Sequence, residues 1–305
     1  MKEGLITRST GKWYKAAVDG ETVDCRLPGK FRLREEEVTN PLAVGDRVTL
    51  RIEEDGTGTV EKIHERTNYL PRKATHSKRG TQILAANIDR GWVVVAVRKP
   101  KFKPGFIDRF LVICQAYEVP AAVIFNKTDL AGKKDRNRMN EMAELYRELG
   151  YTVHLTSIFD KKSIEALNEN LKEKISVFIG PSGAGKSSLL NAIDPELNLR
   201  TADVSKATTK GRHTTTKAEL VRLQNGGFIV DTPGIRELGL VNIQPYELSL
   251  FFPEMRPWRE HCKFYNCTHH HEPGCGVVEA FHEGKIHPER YNSYLNILES
   301  LEEEE

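Results

Sequence analysis

Ile175-Ser176-Val177-Phe178-Ile179 runs directly into Gly180-Pro181-Ser182-Gly183-Ala184-Gly185-Lys186-Ser187-Ser188, and a helical pattern opens at Lys186. An apolar strand, a Gly-x4-Gly-Lys-Ser turn and a helix start are the context in which a phosphate loop is credible. Its glycines let backbone N–H groups turn inward around phosphate oxygens, and the helix N-terminus adds a favourable dipole. Gly180 to Ser188 are therefore expected to hold nucleotide. Lys186 is expected to reach the β- and γ-phosphates and take part in catalysis, and Ser187 to ligate Mg²⁺.

Downstream, the strand Phe228–Val230 ends in Asp231-Thr232-Pro233-Gly234. Such a tetrapeptide at a strand end after a phosphate loop predicts that Asp231 holds Mg²⁺, through water, and that the Gly234 N–H senses the γ-phosphate. Between the two lies Thr208-Thr209-Lys210-Gly211-Arg212-His213-Thr214-Thr215-Thr216. A threonine hydroxyl from this loop should complete the Mg²⁺ shell, with Thr214 and Thr215 both candidates. Directly after Gly234, where many GTPases place a water-orienting Gln, stands Ile235. Isoleucine forms no hydrogen bond to water, so intrinsic hydrolysis should be slow, and His213 is the nearest group in sequence to position the attacking water.

Upstream, the strand Ala121–Phe125 leads into Asn126-Lys127-Thr128-Asp129. A carboxylate at Asp129 can accept from the N1–H and 2-amino group of guanine, which adenine does not offer. If buried, it would be left unpaired by adenine at a heavy cost. Asn126 should bridge to neighbouring loops and Lys127 lie along the base. Thr156-Ser157, after the strand Tyr151–Thr156, suits the further loop at the guanine oxygen. In ordinary GTPases the guanine-reading motif follows the phosphate loop. Here it comes first, so every element is present in rotated order.

The surrounding pattern supports that order. From Ile88, strands alternate with helices: Gly91–Val97, a helix over Phe106–Tyr117, the strand before Asn126, a helix over Asp135–Leu149, and another over Ser163–Leu171. Short apolar strands alternating with helices predict a mainly parallel sheet covered on both faces, with ligands at the strands' C-terminal ends. Residues 85–242 are assigned to this α/β domain.

Residues 1–66 read differently, as five short strands: Gly4–Thr7, Trp13–Val18, Glu21–Arg26, Arg47–Glu53 and Gly58–Ile63. With Asp19-Gly20 and Val44-Gly45-Asp46 as turns, they predict a small OB-type barrel. Trp13, Tyr14 and Phe31 would either stack RNA bases or fill its core. Residues 67–84 form a basic, turn-rich linker; Arg66, Arg72, Lys73, Lys78 and Arg79 stand here without a carboxylate from 66 to 80.

Residues 243–305 form a third part, in which Cys262-x4-Cys267-x-His269-x5-Cys275 offers three thiols and an imidazole. That set matches a closed tetrahedral zinc site with a structural role. His261, His270 and His271 are alternative imidazoles by spacing. Cys25 and Cys114 sit in apolar surroundings and read as packing residues. A helix over residues 288–301 closes the chain.

The 305 residues are 39% apolar and 29% charged, with a net charge of +2. The longest apolar run, Trp92 to Val97, is far below the roughly 20 residues of a membrane span. No signal core follows Met1, so a cytoplasmic chain with reduced thiols is expected.

The succession NKTD, TS, GPSGAGKSS, GRHTTT and DTPG, flanked by a barrel and a Cys/His tail, resembles the circularly permuted GTPases of small ribosomal subunit biogenesis, the RsgA type. The resemblance spans nearly the whole chain. It implies GTP as substrate and GDP as product, Mg²⁺, one structural Zn²⁺ with His269 as the imidazole, and stimulation by the 30S subunit late in its maturation. It further implies contact with 16S rRNA by a monomer, with no membrane involved. The rotated order leads the chain from Gly234 directly towards the Cys/His tail, so GTP and GDP states are expected to reposition that tail relative to the barrel.

Overall fold

The computed structural model describes residues 1–9, 13–31, 41–73, 81–199, 218–231, 240 and 243–303. Strict alternation builds the N-terminal barrel. In β2 (Trp13–Val18), Tyr14, Ala16 and Val18 point inward while Trp13 is 43% exposed. β2 joins β1 (Lys2–Ser9), β3 (Glu21–Arg26), β4 (Arg47–Ile52) and β5 (Gly58–Ile63) in the order β1-β2-β3-β5-β4. β1 pairs back onto β4, which closes the barrel and removes its edges. Ile6, Cys25, Leu42, Leu50 and Val60 fill it. Of the three aromatics, Tyr14 belongs to this core and is no stacking surface, while Phe31 is partly buried against it.

The stretch read as a turn-rich linker contains regular structure. β6 (Tyr69–Lys73) and β7 (Thr81–Ala86) pair antiparallel. The basic run obscured the apolar residues between and after it: Leu70 and Ala85 are buried in one cluster and Ile83 in another. This ribbon grips the barrel: the Ala86 N–H donates to Val44 O at 2.9 Å. At Gly45 (φ +87°) a Cβ would stand 2.0 Å from Ala86 O, so only glycine permits the approach. Arg66, the first of the basic run, is engaged within the fold: its guanidinium holds the fully buried Asp46 carboxylate at 2.7 and 2.8 Å.

The α/β part runs β8 (Arg90–Ala96), α1 (Pro104–Ala116), β9 (Ala121–Asn126), α2 (Lys133–Glu148), β10 (Thr152–Leu155), α3 (Lys161–Leu171), β11 (Ile175–Ile179), α4 (Lys186–Ile193), β12 (Glu219–Arg222) and β13 (Phe228–Asp231). The order is β10-β9-β8-β11-β13-β12, parallel except for β12. Both faces are buried, as the continuous apolar strands require. Trp92 and Val94 pack with Leu167, Leu171 and Leu189 of α3 and α4. Val93 and Val95 turn the other way, into a core shared with α1, α2 and the C-terminal part. At Arg8↔Glu219, β1 pairs with β12, so barrel and sheet form one hydrogen-bonded system of eleven strands.

The C-terminal part carries α5 (Arg256–Arg259), α6 (Gly276–His282) and α7 (Pro288–Glu302). α7 is bolted to the α/β part by charge. Arg290, fully buried, reaches Asp108 of α1 at 2.6 Å and Glu254 at 2.6 and 3.2 Å, with its guanidinium 4.5 Å from the Phe252 ring centre. The Tyr146 hydroxyl of α2 donates to Asp108 at 2.7 Å. Among the described residues no helix is long and apolar enough to cross a membrane.

Candidate nucleotide site and metal cluster

Parallel pairing places the motif loops along one edge of the sheet. Val177 lies opposite Gly91 on one side and Val230 on the other, and Val95 opposite Phe125. The loops after β9, β10 and β11 therefore emerge at the same end of the sheet as Asp231, the last residue of β13.

Side chains lace these loops before any ligand is considered. Asn126 donates from Nδ2 to Ala184 O at 3.0 Å and accepts from Thr156 Oγ1 at 3.0 Å. Lys127, in the left-handed region at φ 62°, donates to Gly183 O at 2.6 Å and Lys99 O at 3.0 Å. The Thr128 N–H donates to Thr156 O at 3.1 Å, and Ser157 Oγ donates to Asp129 Oδ1 at 2.6 Å. Glycine is required on the other side of the seam, because a Cβ on Gly185 (φ +89°) would stand 2.6 Å from Asn126 Nδ2. Residues far apart in sequence thus meet along one edge of the sheet. Lys186 donates to Gly180 O at 2.7 Å and Pro181 O at 3.1 Å, bent over its own loop. Ser187 and Ser188 occupy the first turn of α4, Ser182 is exposed on the loop, and Asp231 ends β13.

One expectation changes. Asn126, Thr156 and Ser157 are buried, but Asp129 is exposed, because it lies in the 3-10 turn Thr128–Leu130, beyond the end of β9. His213, Thr214, Thr215 and Gly234 lie outside the described residues. Lys99 and Pro100, beyond β8, escaped the sequence reading: Lys99 O receives Lys127, and Pro100 Cδ would lie 3.3 Å from a Cβ on Gly183. Nothing local in that basic loop signals a role beside the phosphate loop.

In the C-terminal part the ligand atoms of Cys262, Cys267, His269 and Cys275 all lie within 4.8 Å of one another. His269 Nδ1 faces Cys262 Sγ at 3.4 Å and Cys275 Sγ at 3.3 Å, and those two sulfurs are 3.9 Å apart. A tetrahedron with Zn–S bonds of about 2.3 Å has edges of roughly 3.8 Å, so the donor set fits zinc. His269 (φ 55°) turns its other nitrogen to Ser249 Oγ at 2.9 Å, which fixes the ring. The Tyr291 and Tyr294 hydroxyls of α7 hold the carbonyls of His269 and Thr268 at 2.9 and 2.6 Å. His261, His270 and His271 are exposed and outside the cluster. Cys25 and Cys114 are fully buried elsewhere, and burial pushes both thiols up, Cys25 to about 11. Ser249 had no sequence signal, lying 20 residues from His269. Ser249→Ala is expected to weaken zinc binding about tenfold to a hundredfold, measured by competition with a chromophoric chelator.

Strand order, phosphate loop and the early guanine-type motif together define a circularly permuted GTPase domain. Residues 63–241 match the family model described as RsgA GTPase, and residues 3–60 the one described as RsgA N-terminal domain. The small ribosomal subunit biogenesis GTPase RsgA of Phocaeicola vulgatus is 41% identical over 302 residues, covering 99% of this chain and 97% of its own. YjeQ from Thermotoga maritima, a crystal structure, superposes with a TM-score of 0.81 at 36% identity over 98% of each chain. YloQ, described as a circularly permuted GTPase, gives a TM-score of 0.77 at 31% identity over 99% of this chain and 96% of its own. The chain belongs to the RsgA GTPase family, and it is a GTP-hydrolysing enzyme.

Proposed function

We propose that this GTPase acts in the cytoplasm as a monomer on the small ribosomal subunit, hydrolysing GTP in response to the 30S particle late in its maturation while contacting 16S rRNA. The observation that carries the guanine assignment is the lacing of Asp129 and Asn126 to the phosphate loop and to Thr156-Ser157. The ribosomal partner is supported by family membership and by the names of the relatives.

Gly180 to Ser188 cradle the phosphates through backbone N–H groups, and Lys186 swings from its loop carbonyls to the β- and γ-oxygens. Asn126, Lys127, Thr128, Asp129, Thr156 and Ser157 orient the base. Ser187, Asp231 and Thr214 or Thr215 would hold Mg²⁺, which when bound neutralises charge developing on the transferred phosphoryl group. The Gly234 N–H reports the γ-phosphate. His213 positions the attacking water, because Ile235 cannot. Cys262, Cys267, His269 and Cys275 would hold one Zn²⁺, whose role is to fold the tail. RNA contact rests on basic groups and phosphate, so it weakens steeply with salt.

Steady-state GTP turnover with and without 30S subunits tests this reading. A strong rise on adding subunits is expected, and His213→Ala should lower the stimulated rate about a hundredfold with GTP affinity retained. An unchanged rate in the presence of subunits, or full activity of His213→Ala, would overturn the respective assignment.

A further inference from the structure

An exposed carboxylate is a poor reader of a base, because water competes for its hydrogen bonds and screens its charge. Asp129 is exposed, and exposed apolar residues stand next to it in the chain and in the loop bonded to it. Leu130, next in the chain, is 39% exposed; Ile158 and Phe159, in the loop tied to Asp129 through Ser157, are 42% and 79% exposed. Three of the exposed large apolar residues among those described thus lie on the two turns that the Ser157–Asp129 hydrogen bond joins. The loop carrying two of them is fixed. Ser157 Oγ donates to Asp129 and accepts from the Phe159 N–H at 3.2 Å, and the Asp160 N–H returns to Ser157 O at 3.0 Å. Asp160 then caps α3, accepting from Lys162 N and Ser163 N. On the neighbouring side, the Lys127 ammonium is pinned by the carbonyls of Gly183 and Lys99, which limits the freedom of its methylene stem.

We infer that Leu130, Ile158 and Phe159 are a desolvating collar for the purine, with the Phe159 ring as the specificity-determining residue that covers the base while Asp129 reads its edge. The inference rests on the guanine reading of Asp129 proposed above. A purine has two apolar faces and a polar rim. Covering it dehydrates the Asp129 hydrogen bonds, and the carboxylate then discriminates as a buried one does. An apolar collar exposed in the free chain is what a site filled by a flat aromatic ligand requires.

Phe159→Ala should weaken GDP binding about tenfold, the scale of one lost base–aromatic stack, and narrow the GDP-over-ADP preference. Phe159→Tyr should restore both. Phe159→Trp should change its emission on adding GDP and not on adding inorganic phosphate. Thermal stability should not move in any of the three, because the ring is exposed. Unchanged GDP affinity in Phe159→Ala overturns the inference. So does an unchanged affinity joined to lost subunit stimulation, which would make the collar a partner-docking face. Failure of the underlying guanine reading is separable: the unmodified chain would then bind ADP as tightly as GDP.

Discussion

Asp129→Asn should lower GTP affinity about a thousandfold and create affinity for xanthosine triphosphate in its place. The amide presents a donor where the guanine 2-amino group also presents one, while the 2-oxo group of xanthine accepts. Sites that recognise a substrate through such hydrogen bonds reject the mismatched analogue by about four to five orders of magnitude. Part of that range is withheld here because Asp129 is exposed until a base covers it. Calorimetric titration with the two nucleotides reads the result directly. Asparagine leaves the lacing of Asn126 and Lys127 to the phosphate loop untouched, so the fold should persist. Retention of tight GTP binding, with none for the xanthine nucleotide, would remove Asp129 from base recognition.

Arg290→Met should destabilise the protein by about 3–5 kcal/mol, the range for breaking a buried ion pair from one side. The loss comes less from the missing attraction than from what remains. Asp108 would be left in a buried position from which desolvation already pushes its carboxyl up, against the counter-pull of Arg290 and Tyr146. Glu254 loses its paired contacts at the same time. Removing all three charges together, as Asp108→Leu, Glu254→Leu and Arg290→Met, should recover much of the loss, since apolar replacement of a whole buried network is often neutral or better. Denaturant unfolding of the single and triple variants checks both statements. A single-variant cost below about 1 kcal/mol would mean that the network reorganises around water.

What could be read from the chain alone was whatever is local. A strand running into Gly180 to Ser187 carries its own geometry, and so does one running into Asn126 to Asp129. Alternation in Trp13–Val18 marks a barrel strand in the same way. Pairings made over long distances were not visible: Asp108 and Arg290 are 182 residues apart, and each looks like an ordinary surface charge in its own window. The same blindness left Arg66 in a basic run with no carboxylate near it in sequence, when it is committed to Asp46. It also hid the β6–β7 ribbon within a basic stretch of sequence. Spacing alone left four histidines open. The backbone turn at His269 and the hydroxyl of Ser249 decide among them, and both belong to the folded tail.

The buried guanidinium at position 290 also sets the smallest piece of this protein that could stand alone. An excised fragment ending near residue 241, where the matched GTPase segment stops, would strand an acid inside α1 with no counter-ion. It would also open to water the face of the sheet that shares a core with Phe252, Tyr294 and Leu298. Catalytic and C-terminal parts are therefore a single unit of stability. A truncated enzyme offered as autonomous would be measured in a state the intact chain never visits.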